Sequence, residues 1–356
     1  MKKVSIIILN WNGEALLREF LPSVLACTPQ SLADIIVADN GSTDGSVEML
    51  KNEFPAVRLI LFDWNYGFAE GYNRAISQID TTYSILLNSD VEVTANWLDA
   101  PLRALEADDM LAGVQPKILA QKDKTKFEYA GAAGGWLDCY GYPFCRGRVL
   151  HVVEEDNGQY DNPSTIFWAS GACFFVRTEV FKKEGGFDAN FFAHQEEIDF
   201  CWRLLSRGYK LACIPQSVVY HVGAATLKAE SPQKTFLNFR NNLLMVYKNT
   251  SEEKLPSVMR LRFWLDYVAL TKFFLTGHPA NAKAVIEARK AFKQLQKEYA
   301  PVRAENLAKT IVSAIPEMFP QSLIFNFYIK GRKTFSQVIP IKSLCENIKQ
   351  NKKNLF

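Results

Sequence analysis

Over the first 120 positions, short apolar runs that stop at polar clusters alternate with stretches of helical spacing. Val4–Leu9 is the first run, and it ends at Asn10-Trp11-Asn12-Gly13. Leu16, Leu17, Phe20, Leu21, Val24 and Leu25 then recur as one face of a helix. Ile35–Ala38 and Val57–Phe62 repeat the strand pattern. The loop Asp39–Ser46 follows the first of these, with Ser42, Thr43 and Asp44 placed to cap a helix through Leu50. Asn65–Arg74 follows the second and turns into a helix. Ile85-Leu86-Leu87 is the run of a strand buried on both faces, after which an amide and a carboxylate emerge at Asn88-Ser89-Asp90. Trp97–Ala107 reads as a helix and Leu111–Leu119 as a fifth strand. This alternation predicts an α/β fold with a mostly parallel sheet flanked by helices and joined by right-handed crossovers. Ligands of such sheets bind beyond the carboxyl ends of the strands.

The pattern degrades between residues 120 and 165, which are rich in Gly, charge and aromatics (Tyr129, Trp136, Tyr140, Tyr142, Phe144, Tyr160). They predict a long excursion over the active face, with aromatics that either stack on sugar rings or pack. Order returns at Ile166–Arg177. Glu196, Glu197 and Asp199 then fall in the first turn of a helix that runs to about Arg207 and ends at Gly208. Their mutual repulsion should raise at least one pKa, as a general base near neutral pH requires. Leu211–Ile214 and Val218–Tyr220 read as two short strands, the second leading into His221, which is either a structural histidine or a ligand or catalytic group.

Composition narrows the function. Seven cysteines without a CxxC pair, and a Met1-Lys2-Lys3 start that leads straight into a strand, predict a reducing, cytoplasmic setting. No apolar run approaches the roughly 18 residues of a membrane span. GxGxxG, GxxxxGK[ST] and GxSxG are all absent, which argues against a dinucleotide fingerprint, a P-loop and a nucleophile elbow. The carboxylate and amide at Asn88–Asp90 therefore suit a hard cation, Mg²⁺ or Mn²⁺, carrying a diphosphate, the alternative being a plain polar turn. The 356 residues carry a net charge of only +3, unevenly spread. Residues 1–227 hold 19 Lys+Arg against 29 Asp+Glu, and residues 228–356 hold 22 against 9. The basic rear suits an anionic surface. Without a nucleic-acid-binding motif, that surface is expected to be anionic lipid and not nucleic acid.

Taken in order, Asn10-Trp11-Asn12, Asp39–Ser46, Asn65–Ala69 with Gly71–Arg74, Leu87–Asp90, Gly171-Ala172, Gly186–Asp188, Glu196–Asp199 and His221–Gly223 resemble the family 2 glycosyltransferases of the GT-A fold. The rhamnosyltransferase-like members that build bacterial surface polysaccharide are the most similar, over roughly residues 3–250. The resemblance implies inverting transfer from a nucleotide-diphospho-sugar to a lipid-linked or polysaccharide acceptor, with Mg²⁺ or Mn²⁺, at the inner face of the cell membrane. It implies a nucleotide-sugar site of Asn10, Asp39, Asp44, Asn65, Gly67, Arg74, Asn88, Ser89 and Asp90. Asp39 would bind the nucleobase, with Asp44 and Arg74 near the nucleotide and its phosphates. Asp90 and His221 would hold the metal, and Glu197 would be the base, with Glu196 and Asp199 beside it. Two positions depart from the family pattern. Asn88 stands where many members have Asp, and Glu197 also replaces an Asp, so the base reaches one methylene further.

The expected division is a catalytic part at 1–227 (a nucleotide-sugar half at 1–117 and an acceptor and base half at 118–227), then a helical basic extension at 228–356. Within the extension, Phe236–Tyr247, Val258–Leu275 and Asn281–Tyr299 read as helices. Leu261, Trp264, Leu265, Val268, Phe273 and Leu275 form an apolar surface that either meets the membrane or packs on the catalytic part or on a second copy in a homodimer. Leu323–Ile329 and the Lys-rich end share that ambiguity. Two other classes compete: a sugar nucleotidyltransferase, whose glycine-rich signature is missing, and a sugar-nucleotide-binding protein with a decayed site, against which Asp90, Glu197 and His221 stand.

Overall fold

Ile7, Ile36 and Leu86 face one apolar core, while Ile6, Ile8, Val37, Ile85 and Leu87 face another, so the unbroken apolar runs are strands buried on both sides. The computed structural model describes residues 2–223 and 231–340. Its first half runs β1 (Val4–Asn10), α1 (Glu14–Ala26), β2 (Ala33–Asn40), α2 (Ser46–Glu53), β3 (Arg58–Phe62), α3 (Gly67–Ser77), β4 (Tyr83–Asn88), β5 (Val91–Val93), α4 (Asp99–Ala107) and β6 (Leu111–Ala120). Short strands follow, β7 (Gly135–Asp138), β8 (Pro143–Cys145), β9 (Arg148–Val149), β10 (Val152–Val153) and β11 (Ser164–Thr165). Then come β12 (Cys173–Arg177), α5 (Thr178–Lys183), α6 (Glu196–Ser206) and β13 (Lys210–His221). The rear holds α7 (Pro232–Asn249), α8 (Leu255–Leu275), α9 (Pro279–Leu295), α10 (Ala300–Ala308), β14 (Met318–Phe319), α11 (Leu323–Tyr328) and α12 (Phe335–Val338).

The main sheet has the order β11-β13-β6-β12-β4-β1-β2-β3, with β5 paired to β13. The β4-β1-β2-β3 run is parallel, as is β13-β6, while β12, β5 and β11 are antiparallel insertions. The chain moves outward from β1 to β3 and crosses back to β4, which makes the gap between β1 and β4 the topological switch point where such sheets bind ligands. Leu17, Leu21 and Val24 of α1 cover one face of the sheet. Tyr72, Ala75 and Ile76 of α3 join the core on the other.

Several expectations change in detail. The fourth strand ends at Asn88, and Ser89-Asp90 form the turn into β5. The two short strands around residues 211–220 are one strand, β13, with an irregularity between Ile214 and Val218. The helix after Asp39–Ser46 has Gly45 at its N-cap, and of the three candidate caps only Asp44 bonds to its first turn, accepting from Ser46 N at 3.0 Å. While β11 joins the main sheet, most of the excursion at 120–165 folds as a small sheet of order β10-β9-β8-β7-β14, whose last strand comes from the rear. Trp136, Phe144 and Tyr160 are buried within it, leaving Tyr129 as the exposed aromatic of that group. Its strands were illegible because each is two to four residues long, too short for periodicity to register.

The rear helices pack on one another and on the catalytic face, α7 against α6, α9 and α10, and α8 against α9. The apolar surface of α8 packs only in part, with Leu261, Leu265 and Phe273 half-buried. Trp264, Val268 and Leu275 are exposed, and the side chains it buries are Val258, Arg262 and Asp266. In α11, Leu323 and Phe327 are buried, while Tyr328 and the following Ile329 are exposed. The Lys-rich end lies outside the described residues. Among those described, no helix is long and apolar enough to cross a membrane.

Candidate active site

Parallel register brings the polar strand ends level. Asn10 pairs with Asp39, and Leu9 pairs with Asn88. Asp39 is buried and accepts from Asn10 Nδ2 and from Ser42 N, each at 2.9 Å. That leaves Asn10 Oδ1 buried without a partner. Asn40 organises the neighbouring turn, its Nδ2 donating to Asn65 Oδ1 at 3.0 Å and to Gly67 O at 2.9 Å, while Asn65 Oδ1 also accepts from Gly67 N. Gly67 has φ +78°, and a Cβ there would lie 2.5 Å from the Phe192 ring, so only glycine fits. Two expected nucleotide contacts are otherwise engaged. Asp44 is exposed and accepts from Glu14 N and Ser46 N, tying α1 to α2. Arg74 donates from Nε to Glu70 at 2.8 Å and lies 3.8 Å over the Tyr66 ring.

At the expected metal corner, Asp90 Oδ1 lies 3.1 Å from His221 Nε2, and Asn88 Nδ2 lies 3.4 Å from the same nitrogen. Ser89 is the half-buried residue between them. Glu128 Oε2 lies 3.5 Å from His221 Nδ1 on the other side of the ring. Burial alone would lower the His221 pKa, but the Asp90 and Glu128 carboxylates outweigh it and push it up to about 10. A carboxylate and an imidazole side by side, with a second carboxylate behind the ring, have the chemistry of a divalent-cation site with an outer carboxylate fixing the histidine. Among the described residues no cluster of three or more acidic, His or Cys side chains is placed to hold a metal. Asp90 and His221 are the two side chains of this corner that could ligate such an ion.

The third corner is the loop that precedes α6. Phe192, His194 and Gln195 all have positive φ, 62°, 72° and 73°, a strained run for residues with side chains. Asn241 of α7 is fully buried and donates from Nδ2 to Phe191 O, Ala193 O and His194 O at 2.8, 2.9 and 2.8 Å. Phe192 O accepts from Phe68 N and Ala69 N at 2.6 and 3.1 Å, capping α3 beside the nucleotide turn. The loop is thereby fixed to both halves of the site. It delivers Glu196, which is buried, and Glu197, which is partly exposed, and each Oε2 is shielded from water and without a partner. Burial pushes Glu197 up to about 7, and burial together with the Glu197 charge raises Glu196 well above the carboxylate range.

Asp199 differs from its neighbours. It is fully buried and bonds to Arg203 at 3.1 Å, Lys248 at 2.9 Å and Asn249 at 2.8 Å. Burial would raise its pKa, but Lys248 and Arg203 outweigh that and hold it below its ordinary value. Its carboxylate pins α6 to α7 and has no face left for a substrate. Four further residues belong to the site: Glu128, His194, Lys234 and Asn241. His194 Nε2 is buried without a partner, and burial with the nearby Lys234 charge lowers its pKa to about 4. Lys234 is also within electrostatic reach of Glu128, which links the base loop to the metal corner. A run of polar residues at helical positions, Arg240-Asn241-Asn242, is the one signal that marked any of the four.

Comparison with known proteins agrees with this fold and supplies a family. The profile described as glycosyl transferase family 2 matches residues 5–185, and that of glycosyl transferase family group 2 matches residues 151–246. An N-acetylglucosaminyl-diphospho-decaprenol L-rhamnosyltransferase of Mycobacterium tuberculosis is 27% identical over 223 residues, which cover 58% of this chain and 71% of that protein. An O-antigen biosynthesis protein of Myxococcus xanthus, RfbC, is 28% identical over 232 residues, 64% of this chain but only 18% of that longer protein. Among solved structures, GalNAc-T7 with UDP, GalNAc and Mn²⁺ has a TM-score of 0.56 at 18% identity, over 71% of this chain and 49% of that one. S. aureus TarS 1-349 in complex with UDP-GlcNAc has a TM-score of 0.52 at 15% identity, over 87% of this chain and 89% of that one. Both likenesses are of fold.

Proposed function

Since the chain belongs to glycosyl transferase family 2, we propose that it is an inverting, metal-dependent enzyme that moves a sugar from a nucleotide-diphospho-sugar to a lipid-linked or polysaccharide acceptor in cell-surface glycan synthesis. The observation that carries this reading is the Glu196-Glu197 pair. One carboxyl is buried and the other partly open with its pKa raised to about 7, on a loop strapped to the nucleotide turn. A base that titrates near neutral pH is what abstraction of an acceptor hydroxyl proton requires.

In this mechanism Asn10, Asp39 and the Asn40–Asn65–Gly67 turn bind the nucleotide end at the switch point, with Asn88 and Ser89 beside the diphosphate. Asp90 and His221 would hold Mg²⁺ or Mn²⁺, which when bound stabilises the negative charge gathering on the leaving diphosphate. Glu197 orients the acceptor hydroxyl and takes its proton, and a base on the face opposite the leaving group inverts the anomeric carbon. Glu196, the more deeply buried of the two, is held well above the carboxylate range by burial and by the Glu197 charge, which leaves Glu197 as the better placed of the pair to act as base. The names of the mycobacterial and myxobacterial relatives favour a diphospholipid-linked or surface-polysaccharide acceptor and make rhamnose the first donor sugar to try. The charge of the basic rear supports a reaction at the inner face of the cell membrane.

The test is incubation of the full chain with a panel of nucleotide sugars and Mn²⁺ or Mg²⁺, reading nucleoside diphosphate release with and without chelator. Metal-dependent release from at least one donor is expected. A nucleotidyltransferase would release pyrophosphate instead, and a decayed site would release nothing.

A further inference from the structure

Helices of water-soluble proteins turn apolar residues inward and polar ones outward. α8 does the reverse. Its inward face carries Arg262 and Asp266, 2% and 0% exposed, joined to each other at 3.3 Å. Arg262 also donates to Tyr140 O at 3.0 Å and to Asn242, and Arg289 of α9 donates to Asp266. On the outward face, Trp264, Val268, Phe274 and Leu275 are 64%, 66%, 65% and 77% exposed, and Phe263 and Tyr267 are also open to solvent. Residues 264, 268 and 275 repeat at the spacing of one helical stripe, about 16 Å long at 1.5 Å per residue. Together with Tyr267 and Lys272 they line an open groove of about 550 Å³. Apolar surface of this size on a soluble protein marks an interaction site.

The surrounding charge selects the occupant. The only acid of α8 is the buried Asp266, while Arg260 and Lys272 are exposed. Lys283, Lys290, Lys293 and Lys297 are exposed on and just after α9. Across residues 231–340 there are 17 Lys+Arg against 7 Asp+Glu. A second copy docked through this face would bring two basic surfaces together. An anionic bilayer accepts both the charge and the aromatic side chains.

We propose that α8 is a membrane-inserting surface: it lies in the plane of an anionic bilayer, with Trp264, Val268 and Leu275 in the acyl boundary and the lysines of α9 against the headgroups. Arg262, buried with Asp266, holds the helix to Tyr140 and to Asn242 of α7, and Asp266 joins it to Arg289 of α9, so that this ridge is presented ready-made. The inference deepens the membrane placement proposed above, but it rests on an inside-out helix and not on the enzyme's chemistry.

The experiment is flotation of the full chain with vesicles of phosphatidylcholine alone and of phosphatidylcholine with about one third phosphatidylglycerol, at low and high salt. The wild type should float with the anionic vesicles and keep a measurable part of its binding at high salt, because insertion is not screened. Trp264→Ser/Val268→Ser/Leu275→Ser should lower the bound fraction at high salt about tenfold or more. Thermal stability and nucleoside diphosphate release should stay unchanged, since these side chains are exposed and lie off the buried Arg262–Asp266 face by which α8 packs. Equal flotation of the triple variant and the wild type would overturn the proposal in favour of charge alone. No flotation of the wild type, with a dimer in size exclusion that the triple variant breaks, would assign the face to a second copy. Nucleoside diphosphate release is read separately, so a failed catalytic reading and a failed membrane surface give different results.

Discussion

Glu196 and Glu197 are neighbours on one helical turn yet meet different surroundings, because positions 100° apart around the axis look into different environments. The folded pKa of Glu197, about 7, lies above its ordinary value of 4.5, so the folded state resists ionising it. The stability lost to that resistance grows as pH rises from about 4.5 to about 7 and is constant above. Turnover has the opposite dependence, since only the ionised carboxylate accepts a proton, and it should rise through an acid limb near pH 7. Glu197→Gln should therefore be more stable than wild type at pH 8, by roughly 1–3 kcal/mol, with the gap closing toward pH 4. Calorimetric melts across that range check it, and a gap independent of pH would show that Glu197 is not held against ionisation. At the other end of the site, Asp90→Ala should abolish Mn²⁺-dependent binding of nucleoside diphosphate while leaving the fold intact. Titration calorimetry with unchanged metal-dependent binding would remove Asp90 from the cation site.

Among the elements, the loop 191–195 has the most demanding geometry. Three residues with side chains sit at positive φ, and Asn241 satisfies three of the loop's carbonyls with one amide group. Asn241→Asp keeps the shape but turns an oxygen toward those carbonyls. It should cost at least about 2 kcal/mol of stability and lower kcat more than it raises the donor KM, because the loop positions the base while most of the nucleotide contacts lie elsewhere. Urea unfolding and a kcat-against-KM comparison test both parts. The strands and the level of the site at their carboxyl ends were legible in the sequence, since unbroken apolar runs followed by Asn10, Asp39 and Asn88 announce themselves locally. What was not legible depends on partners distant in the chain. Asp199 has the same chemistry as its neighbours and differs only by meeting Lys248 of α7. Glu128 lies in the stretch without periodicity and acquires meaning only when β13 brings His221 beside it. Asp44 and Arg74 belong to recognisable motifs, but a motif names a residue type and not what its side chain will meet.

At the scale of the whole molecule, an acidic catalytic part is joined to a basic helical rear through buried charges. Asp266 neutralises both the buried Arg262 and the half-buried Arg289, so Asp266→Ala would leave both guanidinium groups without their shared carboxylate. A loss of about 3–5 kcal/mol is expected, with α8 opening to protease before the sheet unfolds. Limited proteolysis that cuts the variant no faster than wild type would show that α8 is held by other means. The central claim is that Glu197, on its strapped and strained loop, is the base of an inverting sugar transfer. Its most direct test is turnover of Glu197→Gln and Glu196→Gln against wild type, with donor affinity measured on the same samples. Glu197→Gln should lose roughly 10²–10⁴ in turnover with donor affinity unchanged, and Glu196→Gln should lose far less. Near-normal turnover by Glu197→Gln would contradict the mechanism, and with Glu196→Gln inactive it would move the base by one residue.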